Sequence, residues 1–312
     1  MFTGSSAAAA ELQAAPDTSA ITVVLNPVAA SSRGRTAEIA RLFSAAGLDA
    51  EIVETGAGRD PAADAARAVS AHASVVVAAG GDGTVSRVAA GVVGTGAALG
   101  VLPLGTLNHF AKDVGIPLDL RKAVDVIARR HVRRIDAAQV NDRVFVNNSS
   151  IGIYPSIVEQ RDELRHRGYP KWPAFAVATF RVLRQYRGVH VRMTHGDRLS
   201  TWRTPFVFVG NNEYVIDGWP LGTRLRMDGG QLFAYLAPRT HTRALPLLFA
   251  RALAGRGRRS GEFQVVSSDE LWIDTPRARR IRVSLDGETM VMRTPLHYRI
   301  CPGALTVVVP AE

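Results

Sequence analysis

The stretch Ser74-Val75-Val76-Val77-Ala78-Ala79, running directly into Gly80-Gly81-Asp82-Gly83-Thr84, decides the fold. Three consecutive valines suit a strand buried on both faces, and the glycines behind them mark where it stops. From about Val85 to Val93 the spacing predicts a helix, and Ala98–Leu102 reads as the next strand. Upstream, Ile21–Leu25 and Asp49–Glu54 read as strands, with helices predicted over Thr36–Ala46 and Pro61–Ser70. Ile39, Leu42 and Phe43 recur at helical spacing, and Gly47 stops that run. Strands alternating with helices predict a doubly wound parallel sheet, an architecture that takes ligands at the carboxyl ends of its strands.

Gly80–Thr84 sits at such an end. Its glycines let a phosphate chain approach the backbone, and the N–H groups opening the next helix favour negative charge. Asp82 would repel phosphate unless a divalent cation or a proton stands between them, which implies magnesium. An ordinary glycine-rich turn with Asp82 capping the helix fits the same five residues. No Gly-x-x-x-x-Gly-Lys-Ser/Thr pattern occurs, which excludes a Walker A nucleotide site.

After a helix near Leu120–Arg130 the character changes. Short β-like runs follow at Ala137–Val140, Val144–Val146, Val189–Thr194, Pro205–Val209 and Gln231–Leu236. More come at Phe263–Val266, Leu271–Ile273, Ile281–Ser284, Met290–Met292 and Leu305–Val309. Turn residues separate most of them, which predicts an antiparallel, β-sandwich-like second domain. Two helical segments interrupt it, near Ile157–Arg187 and near Thr242–Ala254. Within the first, Trp172, Phe175, Thr179, Val182 and Tyr186 form one helix stripe, suited to core packing or, with Lys171, Arg181 and Arg184 beside it, to a lipid surface. The expected organisation is a disordered tail over 1–20, a nucleotide-binding α/β domain over 21–134 and a β-rich domain over 135–298.

At 312 residues the chain has room for two domains of about 150 each. Its 46% hydrophobic residues exclude wholesale disorder. The single cysteine, Cys301, excludes a disulfide framework and a cysteine-based zinc site, and the eight histidines show no metal-ligand spacing. A net charge of +10 favours anionic partners, although only three of the 38 basic residues are lysine, a skew that genome composition also produces. Two basic loops, Arg256, Arg258 and Arg259, then Arg277, Arg279, Arg280 and Arg282, read as solvated surface or as contacts to anionic headgroups. The longest chargeless stretch, Val88–Asn108, holds five glycines and Pro103 and is a poor spanning helix. A soluble, cytoplasmic protein that touches membranes only peripherally is the expectation.

Further residues carry a resemblance. Asn26-Pro27 follows the first strand, Ser31 to Gly34 lie beyond it, and Gly80–Thr84 come next. Leu102-Pro103-Leu104-Gly105-Thr106-Leu107-Asn108, Asp136, Asn147-Asn148 and Gly152 follow in order. Then come Gly210-Asn211-Asn212, Met227-Asp228-Gly229 and Asp286-Gly287-Glu288. In this ordered set the chain resembles the diacylglycerol kinase catalytic-domain family, in its soluble bacterial lipid kinase branch, kin to sphingosine and ceramide kinases. The likeness runs from Ile21 to about Pro310, whereas Gly-Gly-Asp-Gly-Thr alone also occurs in NAD kinases.

The resemblance implies a two-domain enzyme that binds ATP and Mg²⁺ and takes a lipid on its β-rich domain, with the segment 299–312 returning to the first domain. It implies nucleotide binding by Asn26, Pro27, Gly80, Gly81, Asp82, Gly83, Thr84, Gly105, Thr106 and Asn108. It also implies Asp286 as general base with Glu288 beside it, Asp82 and Asp136 holding catalytic Mg²⁺ through water, and Asp228 at a structural metal position. One departure stands out: the family usually has Asn-Asp where this chain has Asn108-His109, one carboxylate fewer around the metal.

Read alone, Asp286-Gly287-Glu288 is a hairpin turn. The expected function is an ATP-dependent lipid kinase acting on a hydroxyl of a diacylglycerol-like or sphingoid lipid. The rivals are a kinase of a soluble substrate, as the loop shared with NAD kinases allows, and a non-catalytic lipid- or nucleotide-binding protein. Expected partners are the lipid substrate, an anionic membrane surface and, as an open alternative, a second copy in a homodimer; nucleic acid is not expected.

Overall fold

The computed structural model describes residues 13–14, 20–27, 34–56, 58–185, 188–215, 223–224, 226–236 and 264–311. The chain divides into two compact units, residues 1–135 with 303–312, and residues 136–302.

In the first unit, three strands are buried along their whole length: β2 (Ile21–Leu25), β4 (Val75–Gly80) and β5 (Ala98–Pro103). Apolar runs without alternation can be satisfied only between two layers, so helices must cover both faces. The helices are α1 (Thr36–Ala45), α2 (Pro61–Ser70), α3 (Asp82–Val92) and α5 (Leu120–Arg129), with the one-turn α4 (His109–Asp113). Asp60 and Asp119 cap α2 and α5, accepting from the N–H groups of Ala62 and Lys122 at 2.9 and 3.0 Å. β2 pairs in parallel with β3 (Ala50–Glu54) on one side and with β4 on the other. β4 pairs with β5, and β5 with the end of β17 (Leu296–Val308) through Ala98–Thr306 and Leu99–Val307. The chain therefore winds one way from β2 to β3 and the other way from β4 onward. The switch point lies between β2 and β4, and sheets of this kind take ligands at the carboxyl ends of the strands there. Gln13–Ala14, a two-residue strand β1, pairs with Val132 and His131 at the start of β6 (His131–Val140). The rest of the stretch expected to be a disordered tail, up to residue 19, lies outside the described residues.

The second unit holds two antiparallel sheets. One runs in the order β13 (Gln264–Ser268), β12 (Leu232–Leu236), β11 (Phe206–Asn211), β8 (Asn148–Gly152), β15 (Arg280–Leu285), β16 (Glu288–Arg293). The other joins β10 (Arg198–Thr204), β9 (Val189–His195), β14 (Glu270–Asp274) and the start of β17; β7 (Arg143–Phe145) pairs with β6. Ile151, Val207, Val209 and Val283 from the first sheet and Val191, Met193, Leu271, Ile273 and Tyr298 from the second form one buried cluster. That is the sandwich core, and each such side chain contributes about 1.5–3 kcal/mol by leaving water.

The single helix predicted over Ile157–Arg187 is two: α6 (Ile153–His166) and α7 (Lys171–Gln185). Gly168, at φ +90°, ends α6, with Tyr169 N–H donating to Leu164 O at 3.1 Å and Gly168 N–H to Arg165 O at 2.9 Å. This is the left-handed glycine cap with its two crossed hydrogen bonds, and Pro170 forbids continuation. Ala174, Ala178 and Val182 of α7 pack with Ile153, Ile157 and Leu164 of α6. Phe175 and Thr179 of the expected stripe are half-buried, so the core reading describes them; Tyr186 and the side chain of Trp172 lie outside the described residues. So do the helix expected near Thr242–Ala254 and the loop of Arg256, Arg258 and Arg259.

Candidate active-site residues

The first unit's residues gather at the switch point. Asn26, the residue after β2, donates from Nδ2 to Thr84 Oγ1 at 3.1 Å, tying the end of one strand to the loop after the other. That loop packs glycine against glycine. A Cβ on Gly105 would lie 2.5 Å from Gly81 Cα and 2.6 Å from Asn108 Oδ1, and one on Gly80 would lie 2.4 Å from Thr84 Oγ1. No side chain fits at Gly80 or Gly105, which is why the two loops approach backbone to backbone. Asn108, buried and left-handed at φ +49°, accepts from Gly105 N–H at 2.9 Å and donates to Gly105 O at 3.0 Å. Its side chain closes the Gly105–Asn108 loop. Asp82 opens α3, with Gly81 rather than Asp82 as the capping residue; its Oδ1 accepts from Phe110 N–H at 3.0 Å. The carboxylate thus holds the start of α4 next to the N-terminus of α3, an end suited to anions. Thr106 and His109 are exposed, Pro27 and Gly83 half-exposed, and Ser31 lies outside the described residues.

In the second unit Asp136, 2% exposed, accepts at Oδ2 from Asn212 Nδ2 at 3.0 Å and from Gly230 N–H at 2.7 Å. Its own N–H donates to Met227 O at 2.7 Å, and Asn211 Nδ2 donates to its carbonyl at 2.8 Å. Asn212 Oδ1 is buried without a hydrogen-bond partner among the described residues, and a Cβ on Gly229 would lie 2.7 Å from it. Asp228, by contrast, turns to Arg226 Nε at 3.1 Å and is a third exposed.

Asp286 sits at the tip of the β15–β16 hairpin. Asp286 and Gly287 have φ of +47° and +90°, and Leu285 pairs with Glu288 across them. The turn reading is therefore correct, because two left-handed central residues match the strand twist. The turn also aims a carboxylate. Oδ2 accepts from Val146 N–H at 2.9 Å, and Oδ1 accepts from the N–H groups of Asn147 and Asn148 at 2.8 Å each. Donors of this kind favour the ionised carboxylate. Glu288, half-buried, follows as the first residue of β16.

The structure thus assembles Asn26, Gly80, Gly81, Asp82, Thr84, Gly105 and Asn108 in one unit. In the other it links Asp136 and Asp286 through Asn211, whose Nδ2 donates to the Asp136 carbonyl at 2.8 Å and to the carbonyl of Val146, the residue whose N–H donates to Asp286, at 2.9 Å. Sequence reasoning missed Arg224, which donates from Nη1 to Val146 O at 2.6 Å and from Nη2 to Asn147 Oδ1 at 2.9 Å. Nothing in its neighbours marks it among 35 arginines. Among the described residues no three histidine, cysteine or acidic side chains converge on one point. Magnesium nevertheless asks only for a few oxygens and keeps several waters. The buried carboxylate of Asp136 and the unpartnered Asn212 Oδ1 beside it suit such a hard cation.

Comparison with known proteins follows the two units. Residues 20–140 match the family described as the diacylglycerol kinase catalytic domain, and residues 150–309 the YegS C-terminal NAD kinase beta sandwich-like domain. The chain is 25% identical over 246 residues to a protein of Staphylococcus saprophyticus named diacylglycerol kinase, covering 78% of this chain and 79% of that one. A Staphylococcus aureus protein of the same name is 26% identical over 246 residues, 78% of this chain and 77% of its own. The crystal structure described as that of a diacylglycerol kinase from Bacillus anthracis shares the fold, with TM-score 0.67 and 20% identity, covering 94% of this chain and 97% of that chain.

Proposed function

The chain belongs to the diacylglycerol kinase catalytic-domain family of lipid kinases, and on that premise we propose that it transfers the γ-phosphoryl group of ATP to a hydroxyl of a diacylglycerol-like or sphingoid lipid. The observation that carries this reading is the Asp286 carboxylate, fixed by three backbone N–H groups at the tip of a rigid hairpin. A kinase needs one such group, because phosphoryl transfer is mainly positioning and charge neutralisation plus a carboxylate for the proton of the attacking hydroxyl. In the proposed step the lipid oxygen bonds to the γ-phosphorus, the bond to the β–γ bridging oxygen breaks, ADP leaves, and Asp286 takes the hydroxyl proton. Backbone N–H groups of the Gly80–Thr84 loop bind the phosphates, while Gly105, its own N–H taken up by Asn108 Oδ1, brings its backbone close to Gly81. Asp82 and Asp136 would hold magnesium through water, and Asp228, paired here with Arg226, would serve a structural metal; the ion would supply neutralisation of phosphate charge. Glu288 assists beside Asp286.

Peripheral membrane binding belongs to the same proposal, since the acceptor is a lipid. Two features support it. Pro173, Ala176 and Phe180 lie on the side of α7 turned away from α6, with Phe180 67% exposed and Arg181 exposed beside it. Arg277, Arg279 and Arg280 form an exposed basic loop, whereas Arg282 pairs with Glu159 at 2.9 Å. Basic side chains near an anionic surface contribute about 1 kcal/mol each. No helix among the described residues is long and apolar enough to cross a membrane. The test is transfer of labelled phosphate from ATP to diacylglycerol, monoacylglycerol, ceramide or sphingosine in vesicles of graded anionic content. Lipid product that rises with anionic content supports the proposal. Label on NAD in place of lipid would favour the soluble-substrate kinase, and no transfer to any acceptor would favour a binding protein.

A further inference from the structure

We propose that Arg224 is a positioning residue for Asp286, acting on it through a single shared peptide group. This rests on the reading of Asp286 as the base. Arg224, 8% exposed, donates from Nη1 to the carbonyl of Val146 at 2.6 Å. The amide that begins with that carbonyl ends in the N–H of Asn147, which donates to Asp286 Oδ1 at 2.8 Å. One peptide therefore carries a cation on its oxygen and an anion on its hydrogen. Each polarises the group in the sense that strengthens the other bond, as hydrogen bonds in chains do away from water.

The second arm of the fork acts on the same residue. Nη2 donates to Asn147 Oδ1 at 2.9 Å, so one planar guanidinium fixes both the carbonyl and the neighbouring side chain. Asn211 Nδ2 also donates to Val146 O at 2.9 Å, and Asn211 N–H to Asn147 O at 3.0 Å, so the segment is held from both sides. Arg224 is itself fixed: it bridges to Tyr214, whose ring centroid lies 5.8 Å from the guanidinium carbon. A cation this buried is costly unless its donors are satisfied, and these are aimed at the backbone that presents the base. Lysine keeps the charge but not the fork.

Arg224→Lys and Arg224→Met, with Asp286→Asn as reference, test this. Activity on lipid vesicles should fall in kcat by about 10–100-fold for Arg224→Met, the range for residues that act through a neighbour, and less for Arg224→Lys. KM for ATP should stay within about twofold, because no phosphate-binding residue is touched. The Asn147 amide proton, followed by NMR, should move upfield in Arg224→Met and in Asp286→Asn, and the shift in the double variant should differ from the sum of the two. A merely structural Arg224 would lower thermal stability with kcat and the amide resonance unchanged, and that result overturns the proposal. If Arg224→Met does not fold, Arg224→Lys carries both readouts. Full activity in Asp286→Asn would instead remove Asp286 as base, leaving the amide shift to decide whether Arg224 acts on it.

Discussion

Replacing Asp286 with asparagine separates two jobs of one side chain. The backbone should be indifferent, because asparagine accepts the left-handed conformation at φ +47° as readily as aspartate. The side chain is not indifferent. The carboxylate accepts two N–H groups on Oδ1 and a third on Oδ2, at 2.8–2.9 Å. An amide oxygen can keep the pair from Asn147 and Asn148, but its NH₂ then meets the N–H of buried Val146, donor against donor. One unsatisfied buried donor costs about 1–3 kcal/mol. The flipped amide would leave two donors unmet, so the first arrangement wins. Loss of the proton acceptor should lower kcat by about 10²–10⁴-fold, or about 3–5 kcal/mol of transition-state stabilisation. Urea unfolding and labelled-ATP transfer to lipid read the two effects on the same preparation. A stable, inactive variant would refute the hydrogen-bond account; a destabilised variant with near-normal kcat would refute the base.

Gly105→Ala should both destabilise the first unit, by about 1–3 kcal/mol, and weaken nucleotide binding, since its Cβ would lie 2.5 Å from the backbone of Gly81; equilibrium unfolding and ATP titration check this. His109→Asp should lower the magnesium concentration giving half-maximal rate, by adding a carboxylate next to the α4 turn that Asp82 holds; superimposable magnesium curves would place residue 109 outside the metal site. Burial pushes the Tyr298 hydroxyl well up, against the partial relief of its hydrogen bond to Ser149 at 2.9 Å, and burial raises Tyr235 to about 12. Tyrosine in the unfolded chain ionises near about 10, so this stabilisation is intact below that pH and is lost as pH rises through 12 and beyond; denaturant melts from pH 8 to 12, with Tyr298→Phe as control, should show the fall beginning above about 10.

The first unit was legible because its strands are buried on both faces. Runs such as Val75–Ala79 admit no other reading, and Pro61–Ser70 has the same bounds in sequence and structure because Asp60 and Pro61 write the helix start in side-chain chemistry. The second unit blurred where one face of a strand is polar. β8 is Asn-Ser-Ser-Ile-Gly and β10 is Arg-Leu-Ser-Thr-Trp-Arg-Thr, neither of which looks like a strand until its neighbours are in place. Ser149 and Ser150 are buried by pairing with β11 and β15, partners that lie more than 50 residues away in sequence. The split between α6 and α7 was readable, in Gly168 and Pro170, within the one helical segment expected over Ile157–Arg187.

The site was legible in proportion to how far its chemistry lies in side chains. Asp82 and the glycine loop around it announce themselves by their place after a buried strand, whereas Asp136 and Asp286 could be named only through the ordered resemblance to the family. What those residues lean on could not, because the donors to Asp286 are main-chain N–H groups 138–140 residues away. Every residue carries such a group, and only the fold selects which ones point inward. Asn108 shows the same limit from the other side. As a letter it reads as a polar contact for a nucleotide; in the structure both ends of its amide close the Gly105 loop. Its contribution to binding is then the shape of a backbone. Substitution at Asn108 should therefore act by opening the loop, and glutamine, one methylene longer and unable to close the same ring, should be as harmful as alanine.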